Sequence, residues 1–266
     1  MNNVMGKQRG VTLIELMIAI LIGIFISLMV VQYLATSSRM FKRQGVDSNI
    51  EQNASFAVSY LSKYIRQAGS RDGHGTEIPF YSGDCGAFSP CTAEADGADG
   101  TEPNSDRVAV QMFVGAGGRD CAGNPANGQI ANVFYIDEET TGSGVSSLFC
   151  RGFDVATNSW IGTNGTALID GVEQMQVIYG VADASEQIYS YLSSDRIPAV
   201  AGSMAHGWDR IRAVNVALLV SDGYGSATEI VANRNFQLFD GPPTNFNDGI
   251  NRRVFSTAIT VNSKIP

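Results

Sequence analysis

The pattern of hydrophobic and polar positions divides the 266-residue chain into an apolar segment, an amphipathic segment and a longer mixed region. Residues 11–31 are almost wholly apolar and contain a single charged side chain, Glu15. A helix rises about 1.5 Å per residue, so a run of this length crosses the roughly 30 Å hydrocarbon core of a bilayer. The pattern therefore predicts a transmembrane helix at residues 11–31.

The amphipathic segment continues this helix. No proline occurs between residues 32 and 68, and apolar side chains recur at steps of three and four, the spacing of one helix face. The opposite face mixes both signs of charge, which disfavours the alternative of a helix lying on a membrane surface. Gly69 is typical of a helix stop. We expect one helix over residues 11–69 whose second half buries an apolar stripe on a globular domain. The stripe comprises Ile50, Ala54, Ala57, Val58, Leu61, Tyr64, Ile65 and Ala68.

Beyond Gly69 the pattern changes to short runs with a period of two, which indicates strands. A Gly-Ser-Gly turn at residues 142–144 separates two of these runs and predicts a hairpin. A long helix followed by strands predicts the α+β class, with the helix packed on an antiparallel sheet. The strands are predicted at residues 108–114, 130–137, 145–153, 171–181, 212–220, 227–238 and 253–262.

Charge limits the partners and suggests an orientation. The side chains carry a net charge of −8 at pH 7, and removal of a leader containing Lys7 and Arg9 would leave 16 positive against 26 negative, a net −10. So acidic a chain offers no general basic face for phosphates, and we expect no nucleic acid to bind directly. Lys7 and Arg9 precede the apolar run, which places the N-terminus in the cytoplasm. Three cations beyond the run, at positions 39, 42 and 43, weaken this argument.

Four cysteines follow the apolar run, so with this orientation they lie in the periplasm, which is oxidising. An even number there indicates disulfides; the alternative is four reduced, buried thiols of a cytosolic enzyme. Four cysteines allow three pairings. Cys85 and Cys91 share one predicted loop, whereas Cys121 precedes a predicted strand and Cys150 lies in the next. We favour Cys85–Cys91 with Cys121–Cys150, the second of which would staple a hairpin.

The residues around Gly10 account for the lone charge in the apolar run. A secretory signal is cleaved after its apolar region, whereas here the sharpest boundary, between Gly10 and Val11, precedes it. A single carboxylate in a membrane helix costs about 3 kcal/mol and needs a partner. A cut after Gly10 would give Val11 a free amino group one helical turn from Glu15, in the same chain or a neighbour. The alternative is an uncleaved signal anchor with a stray Glu15.

The sequence GVTLIEL at residues 10–16 resembles the processing motif of type IV prepilins and pseudopilins. The resemblance implies that a membrane-embedded prepilin peptidase cuts after Gly10 and methylates the amino group of Val11. It also implies that Glu15 meets the N-terminal amine of an adjacent subunit during assembly. Val11 departs from the Phe that is usual at this position in the family.

Later blocks of sequence resemble PilW-type minor pilins. The resemblance implies a structural protein that helps to initiate type IV pilus assembly at or near the tip. It implies a leader at 1–10, a helix at 11–69 and a disulfide-bonded periplasmic pilin domain at 70–266. The implied partners are prepilin peptidase, other minor pilins, the major pilin and the inner membrane. The blocks lie at residues 67–71, 120–123, 148–152, 169–177, 212–220 and 252–257, and Ser70 stands where the family commonly has an aromatic residue.

The implied location is the inner membrane before assembly, as a single span, and the pilus fibre or its tip afterwards. A minor pseudopilin of type II secretion shares the N-terminal motif and is the nearer alternative. A membrane-anchored periplasmic enzyme or binding module is the farther alternative, and it predicts no cut at Gly10. Twitching motility, adhesion and DNA uptake are pilus activities among which the sequence does not choose.

No catalytic constellation is recognised, so we expect no enzyme and no cofactor. The motifs of zinc proteases, serine hydrolases, Walker loops and dinucleotide folds are absent. The glycine cluster at residues 115–118 is interpreted as a strand-end turn. His74 is expected to be solvated, and His206 to be exposed or to cap locally.

No metal site is expected either. Zinc is disfavoured because no Cys-x-x-Cys pair occurs. The acidic stretch at residues 94–106 includes Asp96 and Asp99, whose oxygens could bind Ca²⁺, but it lacks the full twelve-residue loop pattern. We interpret it as a flexible surface loop.

Overall fold

The computed structural model describes residues 10–70, 78–86, 88–94, 105–138, 145–197, 205–222 and 234–262. The chain divides into two compact units between Asp47 and Ser48. Helix α1 (Leu13–Gln67) runs through this division.

The described part of the first unit is the N-terminal portion of α1. The backbone N–H groups of Glu15 and Leu16 donate to the carbonyl of Thr12, at 3.1 and 3.2 Å, and close the first turn. No residue from 10 to 47 is buried. The helix here is therefore held by its own backbone hydrogen bonds and by its apolar, helix-forming sequence rather than by tertiary packing.

The second half of α1 belongs to the second unit and buries the predicted stripe. Seven of its eight members are buried, and Val58 is half-buried. The helix ends at Gln67, and Gly69 follows with φ of +71°, a left-handed conformation that favours glycine. The N–H of Gly69 then donates to the carbonyl of Gln111 at 2.7 Å, so the chain leaves the helix directly beside a strand.

The second unit contains three antiparallel sheets and two short helical turns. One sheet has the order β1-β2-β3-β4 with β5 also paired to β3; another has the order β11-β8-β6-β7; the third is the pair β9-β10. A 3₁₀ turn (Ser194–Arg196) and helix α2 (Ala205–Trp208) lie between β7 and β8. The strands are β1 (Val108–Val114), β2 (Gly128–Glu138), β3 (Ser146–Asp154), β4 (Ser159–Trp160), β5 (Thr166–Asp170), β6 (Val172–Ala182), β7 (Ile188–Leu192), β8 (Ile211–Ser221), β9 (Arg234–Phe236), β10 (Thr244–Phe246) and β11 (Arg252–Thr260).

The α+β class and the long helix packed on antiparallel strands are confirmed. Six of the seven predicted strands agree with observed strands within two residues at each end. Of the run at 227–238, only Arg234–Phe236 is strand, and residues 227–233 lie outside the described residues. The predicted turn at 142–144 also lies outside them, although the strands it joins, β2 and β3, do pair antiparallel.

The sequence did not predict how the strands divide among three sheets. Gly171, at φ of +79°, separates β5 from β6, so the two strands join different sheets. Strands β4, β5, β7 and β10 were not predicted, because each has only two to five residues and no sustained alternation.

Aromatic contacts mark the core of the second unit. Tyr64 of α1 meets Phe134 of β2 with 5.4 Å between ring centroids. Phe80, Tyr179 and Trp208 form a second group with centroid separations of 5.1 to 6.2 Å. All five rings are buried, so α1 and both large sheets contribute to the packing.

Candidate functional site

The first unit presents an uncovered apolar helix surface. The large apolar side chains from Val11 to Phe41 are all exposed, with Leu13 at 79% and Phe25 at 65%. The helix is long and apolar enough to cross a membrane. A soluble monomer rarely exposes so large an apolar surface, so this surface calls for lipid or a partner chain.

Glu15 lies at the N-terminal end of this surface. Gly10 and Val11 precede the helix, and Glu15 lies in its first turn, where the helix dipole favours a negative charge. Val11 lies four positions before Glu15 and two before Leu13, the first residue of α1. Within the described residues the Glu15 carboxylate has no ion pair. The three predicted N-terminal residues therefore lie in one short segment at the N-terminal end of α1.

A groove runs beside α1 in the second unit. Phe56 of α1 is 57% exposed and faces Leu168 and Ile169 of β5 across a cavity of about 470 Å³. Asn53 lines the adjoining cavity, and its side-chain amide donates to the carbonyl of Asp170 at 3.1 Å. The groove combines apolar side chains such as Phe56 and Leu168 with polar ones such as Asn49 and Asn53, which is a surface suited to a protein partner.

The four cysteines form two disulfides, Cys85–Cys91 and Cys121–Cys150, with Cα separations of 5.4 and 6.1 Å. The second disulfide fastens the segment after β1 to strand β3. The N–H of Cys121 donates to the side-chain oxygen of Asn132 in β2 at 2.8 Å, which fixes the same segment from another side.

Arg107 holds the loop that carries the first disulfide, and sequence reasoning missed it. Its side chain is fully buried, and it donates to the carbonyls of Cys91 at 3.0 Å and Pro90 at 2.8 Å. Its guanidinium lies 4.3 Å from the centre of the Phe88 ring. These carbonyl acceptors lie 16 and 17 residues before Arg107 in the sequence, so no local pattern identified it.

Arg252 organises the approach to β11. It pairs with Glu173 of β6, donates to both oxygens of Asp248 at 2.7 and 2.6 Å, and lies 3.8 Å from the centre of the Phe246 ring. The hydrogen bonds from Arg252 lower the pKa of the Asp248 carboxyl to about 2. Asp248, just before β11, is therefore held to the strand by two charged hydrogen bonds from Arg252.

The interpretation of residues 94–106 as a surface loop was wrong at its C-terminal end. Asp106 is buried, and its carboxylate accepts the N–H of Val177 in β6 at 2.7 Å, so it serves as an acceptor within the sheet. Desolvation, together with the nearby charges of Asp240 and Asp195, raises the pKa of Glu94 to about 7. Asp96 and Asp99 lie outside the described residues.

Other sequence-derived candidates are also placed. The glycine cluster after β1 forms a turn, with the N–H of Gly118 donating to the carbonyl of Gly115 at 3.0 Å. His206 lies in α2, and His74 falls outside the described residues. In the part of the chain that the structure describes, no three His, Cys, Asp or Glu side chains are arranged to hold a metal ion.

Comparisons with known proteins identify two regions. The family model described as Type IV Pilus-assembly protein W matches residues 133–263, and the model of the prokaryotic N-terminal methylation motif matches residues 5–31. No curated protein matches the chain. A type IV-like pilin from Thermus thermophilus is similar at 12% identity over 81% of this chain and 97% of its own, with a TM-score of 0.41.

Proposed function

We propose that this chain, a PilW-like minor pilin of the type IV pilus, takes part in initiating pilus assembly at or near the tip of the fibre. The observation that carries the proposal is the uncovered apolar surface of α1 with Glu15 in its first turn. A bilayer covers such a surface before assembly, and the helices of neighbouring subunits cover it in a fibre. One segment thereby serves first as membrane anchor and then as part of the fibre core.

Glu15 supplies the register of assembly. Prepilin peptidase cuts after Gly10 and methylates the amino group of Val11, which keeps its positive charge. The Glu15 carboxylate is stable among apolar helices only beside such a cation, because an unpaired charge there costs about 3 kcal/mol. A neighbouring subunit that is wrongly offset along the fibre axis leaves the Glu15 carboxylate unpaired. The offset that pairs the carboxylate is therefore favoured.

The second unit supplies partner specificity outside the membrane. The N-terminus lies in the cytoplasm and the second unit in the periplasm, where its two disulfides can form. The groove beside Phe56 receives another minor pilin, because one of its walls is α1, the assembling element itself.

Mass spectrometry tests the processing step. The full chain, purified from membranes, should begin at N-methylated Val11 and gain the mass of four protons on reduction. A chain that begins at Met1, or that is cut after the apolar run, contradicts the proposal.

Fibre assays test the role at the tip. Deletion of the gene should strongly reduce the number of surface fibres, and antibody against the second unit should label fibre ends. Phe56→Ser should weaken co-purification with other minor pilins, while Tyr189→Ser, an exposed side chain of β7 outside the groove, serves as the comparison variant. Labelling along the whole fibre contradicts a tip position, and normal fibres with defective protein secretion would indicate a pseudopilin.

A further inference from the structure

The segment between the apolar run and the second unit, residues 32–43, is here named the neck. It carries Arg39, Lys42 and Arg43, all exposed. Their spacing of three and four residues places them on one face of α1. The neck is therefore a concentrated cationic face on an otherwise acidic protein: residues 48–266 contain 13 Lys and Arg against 24 Asp and Glu.

The other side of the neck is apolar. Leu34 and Phe41 are seven residues apart and lie on a common face, 58% and 71% exposed. Phe41 lies two residues from Arg39, about 200° around the helix. Tyr33, 73% exposed, lies at the edge of the apolar run, where aromatic side chains favour the interface between membrane and water. Tyr33 and Leu34 thus place an aromatic and an apolar side chain at the edge of the hydrocarbon core, on a different face from the cations.

The depth of the neck matches the lipid headgroups. Arg39 lies eight residues beyond Val31, about 12 Å along the helix axis. The headgroup layer extends roughly 5–8 Å beyond the hydrocarbon core on each side. Helical side chains slope toward the N-terminus, which here is toward the bilayer, and long cationic side chains extend in this way to reach the interface. The Arg39 guanidinium consequently reaches the level of the phosphates.

The neck cations oppose the orientation set by the leader. Cations flanking a span are normally concentrated on the cytoplasmic side, where Lys7 and Arg9 lie. Cations on the far side work against insertion in the intended direction, so their presence requires a compensating interaction. A phosphate headgroup provides one, because a guanidinium binds phosphate through two parallel hydrogen bonds.

We propose that the neck binds the phosphate headgroups of anionic phospholipids in the periplasmic leaflet of the inner membrane before assembly. This proposal rests on the proposed function, in which α1 is inserted in the membrane before assembly. Arg39 and Lys42 make the contacts, while Leu34, only three residues beyond Val31, stays close to the hydrocarbon core. The interaction is released when the subunit enters the fibre.

Lipid retention by the full chain tests the proposal. The protein is reconstituted in nanodiscs containing equal amounts of phosphatidylglycerol and phosphatidylcholine, extracted in mild detergent, and its bound lipids are counted by native mass spectrometry. The unaltered chain should retain phosphatidylglycerol preferentially. The double variant Arg39→Gln/Lys42→Gln should lose this preference by at least about fivefold, since each cation near an anionic surface contributes on that order. The matched control Lys63→Gln/Arg66→Gln, which removes two exposed cations from the second half of α1, should retain it.

Three results overturn the proposal. They are equal retention of both lipids by the unaltered chain, an equal loss of preference in the control and the neck variant, and unchanged retention in the neck variant. If lipid retention is unchanged while the neck variant enters fibres poorly, the cations bind acidic residues of neighbouring pilins instead. Lipid retention is measured without fibres, so a failure of pilus assembly does not affect the result. Membrane insertion of α1 is tested separately: release of the full chain from membranes by alkaline carbonate would contradict it.

Discussion

The hydroxyl of Tyr60 donates a hydrogen bond to the carbonyl oxygen of Cys121, 2.7 Å away. Tyr60 lies on α1, and Cys121 is joined by its disulfide to Cys150 in β3. The contact spans 61 residues of sequence, and the ring of Tyr60 also packs against Tyr64 at 5.2 Å. This hydrogen bond therefore connects α1 to the Cys121–Cys150 disulfide, which is attached to the five-stranded sheet.

Removal of the Tyr60 hydroxyl should weaken the attachment of α1 to the segment that contains Cys121. Tyr60→Phe deletes the donor and leaves the ring in place, so the free energy of unfolding should fall by about 1 kcal/mol. Urea unfolding of the full chain in detergent, followed by tryptophan fluorescence, measures the change. Tyr189→Phe is the control, because Tyr189 is exposed on the edge strand β7. Equal losses in both variants would contradict the link.

The two disulfides should differ in their contribution to stability. They close chain separations of 29 residues for Cys121–Cys150 and 6 for Cys85–Cys91. The chain-entropy model gives about 3.6 and about 2.2 kcal/mol respectively. The paired variant Cys121→Ala/Cys150→Ala should thus unfold at lower urea than Cys85→Ala/Cys91→Ala. If Cys85→Ala/Cys91→Ala unfolds at lower urea instead, native contacts around the Cys85–Cys91 ring contribute more to stability than the difference in loop-closure entropy.

Glu94 should make the stability depend on pH between about 4.5 and 7. Its pKa is raised from 4.5 to about 7 in the folded chain, chiefly by desolvation. A raised carboxyl pKa means that the folded state retains the proton longer than the unfolded state, so stability falls as pH rises through this window. Glu94→Gln, which cannot ionise, should melt close to the unaltered chain at pH 4.5 and higher than it at pH 8. A constant difference between the two chains across this range would show that Glu94 does not titrate in the window.

Loss of the buried guanidinium of Arg107 should be strongly destabilising. Arg107→Met retains much of the side-chain length but leaves the carbonyls of Cys91 and Pro90 without a donor. Unsatisfied buried acceptors and the lost ring contact should together lower the free energy of unfolding by about 3 kcal/mol. Thermal unfolding measures this against Arg66→Met, since Arg66 is exposed on α1. A similar melting temperature for both variants would mean that the loop is held by its disulfide alone.

Neutralisation of Glu15 should separate processing from assembly. Glu15→Gln leaves the bond after Gly10 intact for prepilin peptidase but removes the charge that pairs with an N-terminal amine. Loss of one partner from a buried ion pair costs roughly 3–5 kcal/mol, so the amount in sheared fibres should fall by tenfold or more. Immunoblots of fibre and membrane fractions measure both steps, with Glu51→Gln as control. Normal amounts of the variant in fibres would contradict the pairing.

Local patterns in the sequence determined the elements that depend on local physics. The apolar run and the spacing of Ile50, Ala57 and Leu61 predicted α1, because helix periodicity and burial follow directly from side-chain order. Strands β1, β6 and β8 were likewise predicted by their long apolar runs. The segment around Gly10 that matches the methylation motif was recognisable because its residues are adjacent in sequence.

Tertiary structure alone decided the relationships between distant residues. Arg107 and Tyr60 bond to carbonyls 16 and 61 residues away in the sequence, and Arg252 pairs with Glu173, 79 residues away. The division into three sheets depends on the backbone turn at Gly171, where the chain leaves one sheet for the next. The physical reason is common to these cases: hydrogen bonding and desolvation depend on distances in space, which sequence order constrains only over a few residues.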